Sequence, residues 1–333
     1  MLFIINTECN RDCSYCFEGE LRQQTPRMMT VEDIHRIARW AGPSAMASNK
    51  VLGGEPTLHP QLLPIMDAIG SYSQEPPLLL TNGVGAPEVM RELAKRPVRF
   101  LVNLNHLDAY SGQEQSRLTK NLEIIRDSHF QVLYLSVTIT TPEDDFAILF
   151  DLLRSPLGER VPAVRIGIST PGYGFKNSFP REFSHDFGAA YVRLATAIHC
   201  IRPYIQITNE CALNGCLVDK ATVASLQGVV DNFQMNCKGG GNFDILPDFS
   251  THWCYAADAI PGLRIDNIFK YQSMAHVQYE LFMAQERLQR SLGAQCNHNT
   301  CDSLACHGPC VVQNYYRKNR KQIDAQAEAQ CLC

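Results

Sequence analysis

The sequence predicts an α/β fold built on a parallel sheet, and three observations carry that prediction. Short β-branched runs alternate with amphipathic segments through the first half of the chain, only a few residues connect them, and the alternation stops near residue 200, where cysteines accumulate. Candidate strands are 2–5, 51–52, 77–80, 98–104, 132–138 and 164–168. Between them, helical periodicity appears in "TVEDIHRIARWA" from Thr30, "HPQLLPIMDAIG" from His59, "APEVMRELAKR" from Ala86, "SRLTKNLEIIRDS" from Ser116 and "PEDDFAILFDLLRS" from Pro142. Thr30 followed by Asp33 reads as an N-cap with an acid in the first turn. A sheet of repeated βαβ units receives ligands at the C-terminal ends of its strands.

Composition narrows the function classes. A chain of 333 residues, 45 % of them apolar, has room for one large α/β domain and a smaller one with a real core. A net charge of −4 leaves no footprint for nonspecific nucleic-acid binding, and no run of 18 apolar residues marks a membrane span. The opening "MLFIIN" lacks a basic n-region and runs straight into cysteines, so it reads as a strand rather than a signal peptide, and a cytoplasmic location is expected. Fourteen cysteines without an export signal point to metal or redox chemistry, because cytosolic thiols are kept reduced. The change of character near residue 200 divides the chain into 1–200 and 201–333. In the second part a helix is expected over 267–292 and another in "VVQNYYRKNRKQIDAQAEAQ", and no tandem repeat is present.

Two motifs carry the chemistry of the first part. In "TECNRDCSYCFE" the thiols Cys9, Cys13 and Cys16 stand three and then two residues apart, directly after the first strand. Three thiolates can hold three irons of a four-iron cube and leave the fourth open to an exchangeable ligand. A zinc knuckle short of a ligand, or three core cysteines, is the alternative. In "GGEPTLHP", at the end of the second strand, glycines allow close backbone approach and Glu55 offers an acceptor to an ammonium.

The two motifs in this order resemble the radical S-adenosylmethionine superfamily. The resemblance implies a partial (β/α)6 TIM-like barrel, a 4Fe-4S cluster on Cys9, Cys13 and Cys16, and S-adenosylmethionine chelated to the open iron. It also implies reductive cleavage of that cofactor to a 5′-deoxyadenosyl radical. Gly53, Gly54, Glu55 and Pro56 then meet the methionine amino group. Asn103 and Asn105 at the fourth strand end, and Ser136 and Thr138 on the fifth, are candidates for the ribose or carboxylate or else ordinary strand residues. Ile168, in "VRIGIST", belongs to the strand expected to contact adenine, with Tyr15 or Phe17 packing nearby.

The later cysteines resemble the SPASM subfamily, a cysteine-rich C-terminal extension with two auxiliary iron–sulfur clusters. On that resemblance Cys237, Cys254 and Cys310, with Cys211 or Cys216, hold one cluster. Cys296, Cys301 and Cys306, with Cys331 or Cys333, hold the other. Phe249 stands where the family usually has glycine, and the spacings within "CNHNTCDSLACHGPC" depart from the family's. Structural zinc is the competing metal. Whichever of Cys211 and Cys216 is not a ligand is a candidate hydrogen donor to a substrate radical, and Cys200 is expected on an apolar helix face. His252, His298 and His307 adjoin ligand cysteines as polar partners.

The expected function is hydrogen abstraction from a peptide or protein side chain, leading to oxidation, a crosslink or epimerisation, with a flavodoxin- or ferredoxin-type electron donor. The motif begins only a few residues into the chain, so a separate recognition protein or a leaderless substrate is implied. A small-molecule enzyme acting on an aminosugar or aminocyclitol is the alternative. A non-catalytic iron–sulfur carrier fits less well, because a carrier needs no cofactor-binding strand end.

Overall fold

The computed structural model describes residues 1–13, 15–16, 27–128, 132–169, 185–210, 224–226, 228–230, 243–254, 257, 260–292, 311–312, 315 and 318–319. All six expected strands are present: β1 (Leu2–Ile4), β2 (Lys50–Leu52), β3 (Leu78–Thr81), β4 (Arg99–Leu104), β5 (Val132–Ile139) and β6 (Ala163–Ile168). They pair in sequence order, each parallel to the next. The crossovers are α1 (Val31–Ala41), α2 (Leu62–Tyr72), α3 (Pro87–Ala94), α4 (Gly112–Asp127) and α5 (Ala147–Arg154). This is the mixed α/β architecture of a partial TIM-like barrel.

Local chemistry sets the helix starts. Thr30 and Asp33 form a reciprocal capping box before α1, and Ser111 and Glu114 form one before α4. The helix read from Pro142 begins later, at Ala147, because Asp144 turns back to accept from the Thr140 backbone N–H and from the hydroxyls of Thr140 and Thr141.

The sheet has more strands than the sequence suggested. After α6 (His185–Ile201), β7 (Gln206–Asn209) pairs parallel with β6. On the other edge β8 (Asp244–Ile245) pairs parallel with β1, and β9 (Thr251–His252) and β10 (Arg264–Ile265) continue antiparallel. The order is β10-β9-β8-β1-β2-β3-β4-β5-β6-β7. α7 (Met274–Leu292) follows a 3-10 turn at Ile268–Lys270, and the described residues beyond it, 311–312, 315 and 318–319, are helical, where the closing helix was expected.

The strands have two differently used faces. Phe3, Ile5, Val51, Phe100, Val102, Leu135, Val137, Val164 and Ile166 point to the helices and form the main core. On the other face Leu2, Ile4 and Leu246, with Leu52, make a small separate cluster. Further along that inner face the residues turn polar. α6 buries Phe187, Ala190, Tyr191, Leu194 and Ile198 at helical spacing; Cys200 falls off that stripe and is exposed, a correction to its expected place on an apolar face.

Between β8 and β9 the turn places Phe249 at φ 63°, the left-handed region. A bulky side chain is rare there, and glycine is the residue that takes this conformation without strain. Here the ring is held by Phe269, 5.0 Å between centroids, and by the Arg36 guanidinium at 5.0 Å.

Candidate active site

Beyond β1 the chain passes through Asn6 to the three half-buried thiols Cys9, Cys13 and Cys16. This loop is fastened to the turn after β2. Gly54 N donates to Asn6 O at 2.9 Å and Glu55 N to Glu8 O at 2.7 Å. The fully buried Asn6 amide donates to the carbonyls of Glu8 and Glu55, both at 3.1 Å. The contact leaves no room for side chains. A Cβ on Gly53 would collide with the Asn6 side chain and stand 2.8 Å from its carbonyl oxygen; one on Gly54 would press on the Glu8 carbonyl, 2.5 Å from its carbon. The close approach these glycines permit is therefore first of all to the cysteine loop.

Glu55 is fully buried and its carboxylate is already engaged. Oε1 accepts from Thr57 N (3.1 Å), Thr57 Oγ1 (2.7 Å) and Thr81 Oγ1 (2.7 Å), and Oε2 accepts from Asn82 N (2.8 Å). It caps the 3-10 turn that starts at Pro56 and ties it to the end of β3. Burial raises its pKa, and the four hydrogen bonds oppose that rise.

At the end of β4, Asn103 donates to the Tyr15 hydroxyl at 3.0 Å, and that hydroxyl donates to Asn105 Oδ1. Asn105 in turn directs its amide to Cys13 Sγ at 3.9 Å, as Asn82 directs its amide to Cys9 Sγ at 4.0 Å. Burial, then the neighbouring Cys13, raises the Tyr15 pKa. Asn103, Ser136, Arg165 and Thr208 share one register level across β4 to β7, and Ser136 Oγ accepts from Arg165 Nε at 3.1 Å. Arg165 also pairs with Glu210 at 3.4 Å. Thr138 stands one step nearer the strand ends, opposite Gly167. Ile168 is not brought to this group: it packs against the main core with Val164 and Ile166, because alternation puts it on the face opposite Arg165. Phe17 lies outside the described residues.

Of the expected auxiliary ligands only Cys254 is described; it is half-buried against the core. Cys211, Cys216, Cys237, Cys296, Cys301, Cys306, Cys310, Cys331 and Cys333 lie outside the described residues, as do His298 and His307. His252 is buried, with Nε2 3.6 Å from Asp244 Oδ2.

Sequence reading missed Thr57, Thr81, Asn82 and Arg165. Asn82 directly follows a strand and precedes a glycine, and Arg165 is the lone charge in "AVRIGI" on an otherwise apolar strand, so both carried a signal.

Among the described residues, no three His, Cys, Asp or Glu side chains are gathered tightly enough to hold a metal ion. The three thiols nevertheless suit a soft iron centre: they share one loop at strand C-termini, and asparagine amides approach two of the sulfurs. Also among the described residues, no helix is long and apolar enough to cross a membrane.

Fold and site together define an α/β protein of partial-barrel type with a thiol-rich loop at the C-terminal ends of its strands, and comparison with known proteins agrees. The family model described as the Radical SAM superfamily matches residues 3–153. A probable GTP 3′,8-cyclase of Pyrococcus horikoshii is 34 % identical over 246 residues, 70 % of this chain and 76 % of that protein. The GTP 3′,8-cyclase of Marinobacter nauticus is 24 % identical over 152 residues, 42 % of this chain and 45 % of that one. Among solved structures, Streptococcus suis SuiB bound to S-adenosylmethionine superposes with TM-score 0.66 at 15 % identity, covering 93 % of this chain and 72 % of that one. Native anSMEcpe with bound AdoMet and Kp18Cys peptide gives 0.59 at 12 % identity, covering 99 % of each. At such identities these two likenesses bear on the fold alone. The chain belongs to the radical SAM superfamily. Membership makes it an enzyme and implies S-adenosylmethionine and a 4Fe-4S cluster.

Proposed function

We propose that Cys9, Cys13 and Cys16 ligate that cluster and that the chain abstracts hydrogen from a peptide or protein side chain. The observation that carries the reading is the fastening of the three-thiol loop to the Gly53–Glu55 turn, which joins the cluster-binding and cofactor-binding motifs in one hydrogen-bonded unit. When bound, the reduced cluster would supply one electron to S-adenosylmethionine, whose carbon–sulfur bond would break to give methionine and a 5′-deoxyadenosyl radical. The remaining work belongs to the chain. Gly53, Gly54 and Pro56 present backbone to the methionine ammonium, and Glu55, held by four donors, keeps that turn rigid. Arg165 and Ser136 offer a cation and a hydroxyl to the methionine carboxylate. Asn103, Asn105, Thr138 and Tyr15 line the ribose and adenine side.

The peptide class is suggested by what two proteins of this fold were solved with, SuiB with precursor peptide SuiA and anSMEcpe with a peptide beside AdoMet, and the likeness itself reaches only the fold. The cysteine-rich stretch 201–333 adds to it, read as a SPASM-like extension with two auxiliary clusters and with Cys211 or Cys216 as hydrogen donor. A cytoplasmic location and a flavodoxin- or ferredoxin-type donor complete the reading. A second reading, a nucleotide substrate, is favoured by the 34 % identity to a probable GTP 3′,8-cyclase.

The test is anaerobic reconstitution with iron and sulfide. Three clusters correspond to about twelve irons, and the loaded protein should release 5′-deoxyadenosine under reductant. Replacing Cys9, Cys13 and Cys16 by alanine should abolish that release, and survival of cleavage would sink the reading. Stimulation of cleavage by GTP rather than by peptides would select the second substrate.

A further inference from the structure

Arg11 lies inside the three-thiol loop, two residues from Cys9 and two from Cys13. Its side chain is only 6 % exposed, although the loop itself is half-open. The guanidinium is held from several sides. Nη1 pairs with Glu114 Oε1 at 3.2 Å, Nη2 donates to Ala109 O at 2.6 Å, and the central carbon sits 4.1 Å from the Tyr110 ring centroid. Tyr110 is buried, and its hydroxyl accepts from Asn105 N at 2.9 Å; the Asn105 amide approaches Cys13 Sγ. One aromatic ring thus bridges the guanidinium and the residue beside a cluster thiol. Glu114 Oε2 is spent on the α4 capping box, accepting from Ser111 N and Oγ, so its carboxylate is fixed rather than free to follow solvent. Those hydrogen bonds, with Arg11 adding to them, keep its carboxyl below the ordinary range.

A buried charge acts more strongly on its surroundings than an exposed one, because less water screens it. The potential of an iron–sulfur centre follows local net charge. We propose that Arg11 and Glu114 form a positioning and charge-setting pair for the three-thiol loop. Arg11 fastens the loop to the β4–α4 connection and favours the reduced, more negative state of the cluster, and Glu114 partly offsets that charge. The proposal rests on the reading that Cys9, Cys13 and Cys16 hold the cluster.

The two charges predict shifts of opposite sign, which a merely structural role does not. The parent protein, reconstituted with iron and sulfide, is titrated with dithionite and redox mediators while the electron paramagnetic resonance signal that disappears in the triple cysteine variant is followed. Arg11→Lys keeps the charge and should titrate close to the parent. Arg11→Gln should be harder to reduce, with about a tenfold higher oxidised-to-reduced ratio at the parent's midpoint, about 59 mV for a one-electron couple. Glu114→Gln retains the capping box, since glutamine serves at that position, and should be easier to reduce, by a smaller factor because its side chain is 26 % exposed. Shifts of the same sign, or no shift in either variant, would overturn the proposal. If Arg11→Gln holds no cluster, the sign for Glu114→Gln decides alone: easier reduction supports the pair, and anything else refutes it. A signal that persists in the triple cysteine variant would fail the underlying ligand reading instead, and the proposal with it.

Discussion

Gly54 is the position where the structure makes its sharpest demand on the sequence. Substitution by alanine places a methyl group against the Glu8 carbonyl, 2.5 Å from its carbon and 2.8 Å from the Thr7 oxygen, and both neighbours are backbone. The loop must retreat, which breaks or stretches Gly54 N to Asn6 O (2.9 Å) and Glu55 N to Glu8 O (2.7 Å). Two hydrogen bonds at about 1 kcal/mol each and an overpacking cost of about 1–3 kcal/mol give roughly 3–5 kcal/mol. At about 2–4 °C per kcal/mol that is a fall in Tm on the order of 5–20 °C. Calorimetry of the apo protein measures it free of cluster binding, and iron content after reconstitution reports whether the displaced thiols still assemble. Gly112→Ala is the control, because nothing lies within 4 Å of a Cβ there. If Gly54→Ala melts within about 1 °C of the parent and takes up a full iron load, the loop does not rest on the glycine turn and the packing argument fails.

Arg165→Gln should raise the KM for S-adenosylmethionine by about 10–100-fold, the value of a charge-assisted pair, with iron content unchanged; a KM equal to the parent's would remove Arg165 from the cofactor site. His59 is buried, and burial lowers its pKa below 6.5. The unfolded chain therefore binds the proton first as pH falls, so stability present above pH 6.5 is lost below it. His59→Asn keeps an acceptor for Gln61 N, 3.0 Å from Nδ1 in the parent, and should flatten the fall in Tm between pH 7 and 5; an unchanged slope would clear this residue. Phe249→Gly relieves roughly 1–2 kcal/mol of left-handed strain while losing ring contacts of similar size, so it should be near neutral. Phe249→Ala keeps the strain and loses the ring, and chemical denaturation should find it the less stable of the two.

Much of the barrel was legible because its signals are local. Each of the first six strands is a short apolar run between amphipathic segments, and β1 to β6 appear within two residues of where periodicity put them. β7 to β10 were not, since two to four residues carry too little pattern to stand out. They exist because the edges of a sheet offer unpaired backbone groups to whatever passes.

The site divides in the same way. Cys9, Cys13, Cys16 and the Gly53–Pro56 turn could be read from residue type and spacing, since soft ligands and glycines state their chemistry individually. Glu55 shows the limit of that reading: its charge suggested an open acceptor, and the fold surrounds it with Thr57, Thr81 and Asn82, which stand as far as 27 residues along the chain. The contacts of Arg11 with Ala109, Tyr110 and Glu114 span still greater separations. The donors, the alternation and the order of the motifs could be read along the chain, because those are properties of residues and their near neighbours. Which partners each donor meets follows from the fold, because strand pairing brings together groups that no local period relates.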